Sequence, residues 1–153
     1  MLFLHLEAGP EDYLVSTSEI VDIVPSVPLL SQPMAPDYVA GILNYRGKAV
    51  PVVDLNIMLG GEPLKDVFAN RIVVCRYPCT EFSGLLAVRA RNVTSTREIG
   101  DESLQSSGIN LNESPWLGKL SLSEEGRSYQ VIRIESLLTD EAVEILSRGM
   151  ESA

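Results

Sequence analysis

The clearest structural signal in the sequence is a β-hairpin over residues 40–54. Two apolar stretches flank the turn at residues 46–48, and Gly47 can adopt the positive φ that a tight turn between two strands requires. Asp54 follows the second stretch and is suited to capping a short helix over residues 55–59. The segment therefore predicts two antiparallel strands and one helical turn.

Short β-patterned segments, separated by turn residues, fill most of the remaining chain. They cover residues 2–6, 13–15, 72–77, 84–88, 116–120 and 129–134. Residues 99–115 are rich in Ser, Asn, Gly and Asp and are predicted to form a long mobile loop. Apolar residues at helical spacing near residues 137–146 predict a C-terminal helix. Many short strands in two groups predict a mainly β fold of two small barrels.

The charge distribution argues against nucleic acid as a partner. The chain has 12 Lys and Arg against 21 Asp and Glu, a formal net charge of −9, and residues 1–45 contain neither Lys nor Arg. Binding to phosphates requires a basic surface, so an oligonucleotide-binding barrel is disfavoured. No apolar stretch approaches the ~20 residues of a membrane-spanning helix. The N-terminal segment lacks the basic residues that begin a secretory signal peptide. We therefore expect a cytoplasmic protein with no membrane insertion.

The inventory of reactive side chains argues against catalysis. His5 is the single histidine, and strand alternation places it opposite Leu4 and Leu6, which favours an exposed or edge-strand position over a catalytic one. Cys75 and Cys79 lack the C-x-x-C spacing of a redox or zinc site, so a cluster with His5 is disfavoured. We expect no catalytic residue, metal or cofactor. The alternative is a small-molecule-binding or hydrolytic module that uses the seam between the barrels.

Arg46 is the first cation in the chain and stands at the hairpin turn. A rigid turn would present its planar guanidinium to a carboxylate or backbone of another protein. Alternatively, Arg46 pairs with Asp22 or Asp54 of its own chain, as arginines often do. The residues alone leave both possibilities open.

The hairpin also carries a longer motif, the run Val39-Ala-Gly41-Ile-Leu-Asn44-Tyr-Arg46-Gly47-Lys-Ala-Val-Pro51-Val-Val-Asp54-Leu55. It resembles the signature segment of CheW-like coupling proteins at the Gly, Asn, Arg, Gly, Pro, Asp and Leu positions. Residues 13–23, 33–36, 72–87 and 132–138 resemble other parts of that family. The resemblance covers essentially the whole chain.

The resemblance implies two intertwined five-stranded SH3-like barrels with an apolar seam between them. The first barrel would cover approximately residues 13–70, and the second approximately residues 1–8 and 71–148. It also implies a non-catalytic adaptor in chemotaxis and two-component signalling. Such an adaptor couples the cytoplasmic tips of methyl-accepting chemoreceptors to the regulatory domain of a CheA-type histidine kinase, within membrane-associated receptor arrays.

By the same resemblance, two groups of residues are candidate contacts. The receptor-binding group is Arg46, Asn44, Gly47, Gly41, Ile20 and Asp22. The kinase-binding group is Val27, Leu29 and Leu30. The kinase-binding group lies in a proline-punctuated segment, and apolar residues on such an edge segment suit docking between barrels.

Two departures from the family pattern lie in the second half of the chain, and a smaller one lies in the hairpin. Val88 and Ala90 stand where the family usually has aspartate and valine, and Arg89 and Arg91 flank them. We expect a different contact surface on the second barrel. Residues 116–119 and the Asn-Tyr-Arg-Gly sequence of the hairpin are similar to CheW-like proteins of non-flagellar pathways, such as surface-sensing arrays with cyclic diguanylate output.

Overall fold

The computed structural model describes residues 1–65, 69–78, 83–106, 115–122 and 126–151. Cys79 and residues 107–114 of the predicted loop lie outside these ranges. Strands dominate the described residues, as the sequence predicts. Their bounds are β1 Leu2–Ala8, β2 Glu11–Ser16, β3 Ile20–Pro25, β4 Val39–Tyr45, β5 Lys48–Asp54, β6 Asn70–Arg76, β7 Leu85–Glu98, β8 Leu104–Gln105, β9 Leu117–Leu122 and β10 Ser128–Ile132.

The helices are short. An α-helix α1 covers Leu55–Met58 and α2 covers Asp140–Glu151, while 3-10 helices cover Thr17–Glu19, Asp101–Ser103 and Ile134–Ser136. The side chain of Asp54 accepts hydrogen bonds from the backbone N–H groups of Asn56 and Ile57, so the predicted cap of α1 is confirmed. Within the described ranges, no helix is both long and apolar enough to cross a membrane.

One long strand connects the two halves of the sheet. The order of paired strands is β3-β6-β7-β1-β2-β10-β9-β8, and β5 joins β7 while also pairing with β4. The first part of β7, up to Arg91, pairs with β6, and its later part, from Arg91 to Glu98, pairs with β1. The sequence predicts a strand only over residues 84–88, because the second half of β7 is polar and carries no apolar alternation.

The buried apolar side chains form an interior that both halves share. The largest cluster combines Leu4 and Leu6 of β1 with Val53 of β5 and Val88 of β7. A second cluster packs β4, β5 and β6 together, with Val50 and Val52 against Ile72 and Val74. The approximate limits of the two barrels stay a prediction, and β6 packs here with the hairpin strands.

The expectation of an exposed or edge-strand His5 is wrong. His5 does lie on the opposite face of β1 from Leu4 and Leu6. However, β1 pairs with β2 on one side and with β7 on the other, so His5 is not on an edge strand. Its imidazole is buried, with the Tyr129 ring packed edge-on at a centroid distance of 5.3 Å. Alternation predicted the face of the strand correctly, but the element that covers that face is 124 positions away in sequence.

Two segment boundaries also differ from expectation. Residues 99–115 were predicted to be a loop, but the described part contains the 3-10 helix Asp101–Ser103 and strand β8. The closing strand ends at Ile132 instead of Ile134, because a 3-10 helix begins at Ile134. Both differences arise from pairing and packing that short polar stretches do not signal on their own.

Candidate protein-binding site

The hairpin turn is a two-residue connection with both central residues at positive φ. Arg46 has φ 50° and Gly47 has φ 83°, while Tyr45 and Lys48 form the last cross-strand pair. Two positive φ values suit the twist of a tight hairpin. The Asn44 side-chain oxygen accepts a hydrogen bond from the Gly47 N–H at 2.9 Å. Asn44 and Gly47 therefore fix the shape of the turn that presents Arg46.

Arg46 is highly exposed and only loosely held. Its side chain is 77% accessible, and Nη2 lies 3.6 Å from Oδ2 of Asp22, which is on β3. The Tyr45 hydroxyl donates to the same Asp22 oxygen at 3.0 Å, and the Arg46 guanidinium lies 5.3 Å from the centre of the Tyr45 ring. Of the two internal partners considered for Arg46, the structure therefore shows Asp22.

The Tyr45–Asp22 contact also affects the phenol. Loss of hydration and the hydrogen bond to Asp22 raise the pKa of Tyr45 above its ordinary value. Tyr45 therefore remains a neutral hydrogen-bond donor that holds Asp22 beside Arg46. The three side chains form one polar group at the tip of the hairpin, and Arg46 is its most exposed member.

Gly41 is buried beside the segment that contains residues 29 and 30. It is at φ 151°, and a Cβ atom there would lie 2.6 Å from the Leu30 carbonyl oxygen and 2.8 Å from the Leu29 Cβ. Next to it, Leu30 and Ile42 exchange two backbone hydrogen bonds of 2.8 and 2.9 Å. Glycine at this position lets the segment containing residues 29 and 30 lie directly on β4.

Strand β3 contributes residues of two kinds. Ile20 and Asp22 are partly buried, and Ile20 packs against the largest cluster. Val21 and Ile23 alternate with them and are exposed. Sequence reasoning missed these two apolar side chains, although the period-two alternation from Ile20 and Asp22 could have identified them.

The candidate kinase-binding residues divide between surface and interior. Val27 and Leu30 are exposed, Leu30 at 66%, whereas Leu29 packs against the cluster formed by β4, β5 and β6. Met34 is 81% exposed in the same segment and was not predicted. A groove of about 310 Å³ is lined by Leu30 together with Asn44 and Gly47. Leu30 of the kinase-binding group therefore lies along the same groove as Asn44 and Gly47 of the receptor-binding group.

The far end of the hairpin carries a buried ion pair. Asp54 Oδ2 accepts hydrogen bonds from the Leu64 N–H at 2.9 Å and from Arg89 Nη2 at 3.0 Å, and both charged side chains are inaccessible or nearly so. Val88 and Ala90, beside Arg89, are also fully buried. The expected change of contact surface at Val88 and Ala90 is therefore wrong, because their side chains lie in the interior.

A second groove lies away from the hairpin, along β1, β9 and β10. Its volume is about 630 Å³, and its described lining contains carboxylates but neither histidine nor cysteine. Partial burial, followed by the charge of Glu135, raises the pKa of Glu19 in this lining. Burial also raises the pKa of the Cys75 thiol, in β6, to about 12, which leaves it protonated and unreactive.

The hairpin motif and the strand order agree with comparisons to known proteins. The model of the CheW-like domain family matches residues 2–142. The chemotaxis protein CheW of Rhizobium meliloti (strain 1021) is 24% identical over 145 residues, covering 90% of this chain and 87% of that protein. The chemotaxis protein CheW of Helicobacter pylori (strain ATCC 700392 / 26695) is 29% identical over 75 residues, about half of each chain (49% and 46%).

The fold has a counterpart in a solved structure. The crystal structure of the scaffolding protein TtCheW from Thermoanaerobacter tengcongensis superposes with a TM-score of 0.79 at 17% identity, covering 92% of this chain and 89% of that one. The predicted mainly β fold with two SH3-like barrels is thereby confirmed. On the match across residues 2–142, this chain belongs to the CheW-like domain family.

Proposed function

We propose that this chain is a scaffold that couples the cytoplasmic tips of chemoreceptors to the regulatory domain of a CheA-type histidine kinase by protein binding alone. Family membership supports the general role, because CheW-family proteins are non-catalytic chemotaxis scaffolds. The observation that carries the proposal is the rigid hairpin that presents an exposed Arg46. In this role the protein is recruited from the cytoplasm to membrane-associated receptor arrays.

The proposed receptor-binding surface is centred on Arg46. Its guanidinium is held by one solvated carboxylate, Asp22, at 3.6 Å, so it can exchange that carboxylate for a carboxylate or carbonyl on the receptor at small cost. Asn44 and Gly47 fix the turn, and Gly41 fixes the strand behind it. Ile20 supports β3 from inside and lets Val21 and Ile23 add apolar area on its outer face.

The proposed kinase-binding surface is the segment with Val27, Leu29 and Leu30. Leu29 anchors the segment in the interior, and Val27 and Leu30 supply exposed apolar area, as does Met34 four positions after Leu30. A compact exposed apolar patch on a soluble domain is a typical protein-interaction surface. The groove lined by Leu30, Asn44 and Gly47 places Leu30 close to the hairpin turn, so both partners would bind to neighbouring parts of the surface.

The test is co-sedimentation with receptor signalling fragments and, separately, binding to an isolated kinase regulatory domain. Arg46→Asp should abolish receptor co-sedimentation and leave kinase binding intact. Leu30→Arg should abolish kinase binding and leave receptor co-sedimentation intact. Arg133→Asp and Leu122→Arg are matched controls, because each changes an exposed residue of the same type at a distance from the hairpin groove. Both controls should bind like wild type.

The loss of receptor binding or of kinase binding in each variant tests which surface binds which partner. If Arg46→Asp and wild type co-sediment equally, Arg46 is not a receptor contact. If wild type binds neither partner above background, the coupling function itself is wrong. If Leu30→Arg lowers receptor binding as well, the two surfaces are not separate.

A further inference from the structure

A second polar group lies outside the proposed binding surfaces, on β1 and β2. It consists of His5 and Glu7 on β1 and Asp12 on β2. One potential ligand atom from each residue lies within 4.8 Å of the others. We propose that His5, Glu7 and Asp12 form a binding site for a divalent transition-metal ion, with Zn²⁺ as the reference ion.

Strand geometry brings these three side chains together. His5 and Glu7 are two positions apart on β1, so they project from the same face of the sheet. Glu7 is directly paired with Asp12 across the β1–β2 ladder, and a register irregularity in the β1–β7 pairing falls between His5 and Glu7. A bulge of this kind re-aims neighbouring side chains. The donor set is one imidazole nitrogen and two carboxylates, which zinc accepts, with one or more positions left open.

Outer contacts orient two of the three donors. His5 Nε2 lies 2.6 Å from Asp12 Oδ1, and its other ring nitrogen, Nδ1, lies 3.4 Å from Ser95 Oγ on β7. The Asn92 side-chain amide donates to Glu7 Oε2, which leaves Oε1 for an ion. Metal sites commonly hold their histidine and carboxylate ligands through such second contacts, which also select the ring tautomer.

Burial and charge are consistent with cation binding. His5 is buried under Tyr129, while Glu7 and Asp12 are partly exposed and leave a route for an ion. Arg127 Nη2 lies 3.6 Å from Asp12 Oδ1, but half of the Arg127 side chain is exposed, so it can move away from the carboxylate. The ion would bind Nε2, and the neutral imidazole would then carry its one proton on Nδ1, which faces Ser95 Oγ.

The single histidine makes the test specific. In tag-free protein with ¹⁵N-labelled histidine, every imidazole signal belongs to His5. One equivalent of Zn²⁺ should shift the Nε2 resonance, and Co²⁺ should give a visible absorption band at the same stoichiometry. His5→Gln and Asp12→Asn should each abolish the Co²⁺ band. Asn92→Gly should weaken binding by roughly 10-fold or more, and glycine accommodates the φ of 49° at this position.

Controls separate the site from the protein-binding surface and from general charge. Glu135→Gln removes a carboxylate elsewhere and should bind Zn²⁺ like wild type. Arg46→Asp should also bind Zn²⁺ normally, because the site is independent of the proposed coupling function. Circular dichroism of each metal-free variant checks folding, and Asn92→Gly keeps all three ligands if a ligand variant unfolds. An unchanged imidazole resonance with Zn²⁺ in excess, or full Co²⁺ binding by His5→Gln, would overturn the proposal.

Discussion

The signature hairpin carries an aspartate–arginine pair at each end, and the two pairs differ in almost every physical respect. At the turn, Arg46 is 3.6 Å from Asp22, and the side chains are 77% and 33% exposed. At the other end, Asp54 is 3.0 Å from Arg89, and the side chains are 0% and 9% exposed. One hairpin therefore contributes Arg46 to a solvated pair at its turn and Asp54 to a buried pair at its other end.

This contrast assigns the two pairs different roles. A solvated ion pair contributes little to stability, so breaking it to bind a partner costs little. A buried pair is different, because removing one member leaves an uncompensated charge in the interior. Asp54 also caps α1 and holds the Leu64 N–H, so it connects three parts of the chain. The motif thus combines an exchangeable contact with a structural anchor.

The buried pair should give the largest effect. Asp54→Ala leaves the Arg89 guanidinium buried without its carboxylate and removes the cap of α1. We expect the free energy of unfolding to fall by about 3–5 kcal/mol, measured by urea denaturation. Asp22→Ala is the matched control at the exposed pair and should lose less than about 1 kcal/mol. Equal losses at Asp54 and Asp22 would contradict the distinction between the two pairs.

Gly41→Ala should give the second-largest effect, because it crowds β4, the strand that pairs with β5 in the hairpin. The added Cβ would lie 2.6 Å from the Leu30 carbonyl oxygen, and backbone cannot move aside as a flexible side chain can. We expect a loss of about 2 kcal/mol from strain and crowding, by the same urea measurement. Gly47→Ala is the comparison, since a Cβ at Gly47 meets no atom within 4 Å and carries only the cost of its positive φ. A larger loss at Gly47 than at Gly41 would show that φ, and not crowding, dominates.

Local patterns predicted the hairpin, the Asp54 cap and the mainly β fold, because each depends on residues close in sequence. The long-range contacts were not predictable in this way. The Asp54–Arg89 pair joins residues 35 positions apart, and the cover over His5 comes from Tyr129 on β10. The motif resemblance named Arg46 together with Asn44, Gly47 and Asp22, but not the Tyr45 hydroxyl that donates to Asp22. Met34 was missed because the exposure of an apolar side chain outside a strand depends on what the tertiary fold leaves uncovered, whereas alternation with Ile20 and Asp22 could have identified Val21 and Ile23.

The exposed pair should show a small, salt-sensitive coupling. A double-mutant cycle with Arg46→Ala and Asp22→Ala should give a coupling free energy of roughly 0.2–1 kcal/mol, from urea denaturation in low salt. Because solvent-exposed charges are screened, the coupling should shrink as ionic strength rises. Tyr45→Phe removes the second contact to Asp22 and should lower the coupling if the phenol positions that carboxylate. A coupling that is large and independent of salt would mean that the pair behaves like the buried one.

Glu19 is a partly buried carboxyl group, in contrast to the fully buried Asp54, and its substitution should give the smallest effect on stability. Partial burial and the nearby Glu135 raise its pKa above the ordinary 4.5. The folded state therefore binds this proton more tightly than the unfolded state does, and the resulting stability is full below pH 4.5 and is lost as pH rises through the raised pKa. Glu19→Gln should consequently be slightly more stable than wild type at pH 7 and equally stable near pH 4, by urea denaturation. Glu62→Gln, at an exposed position, controls for loss of one charge. A stabilisation by Glu19→Gln that persists unchanged near pH 4 would mean that packing, and not ionisation, causes it.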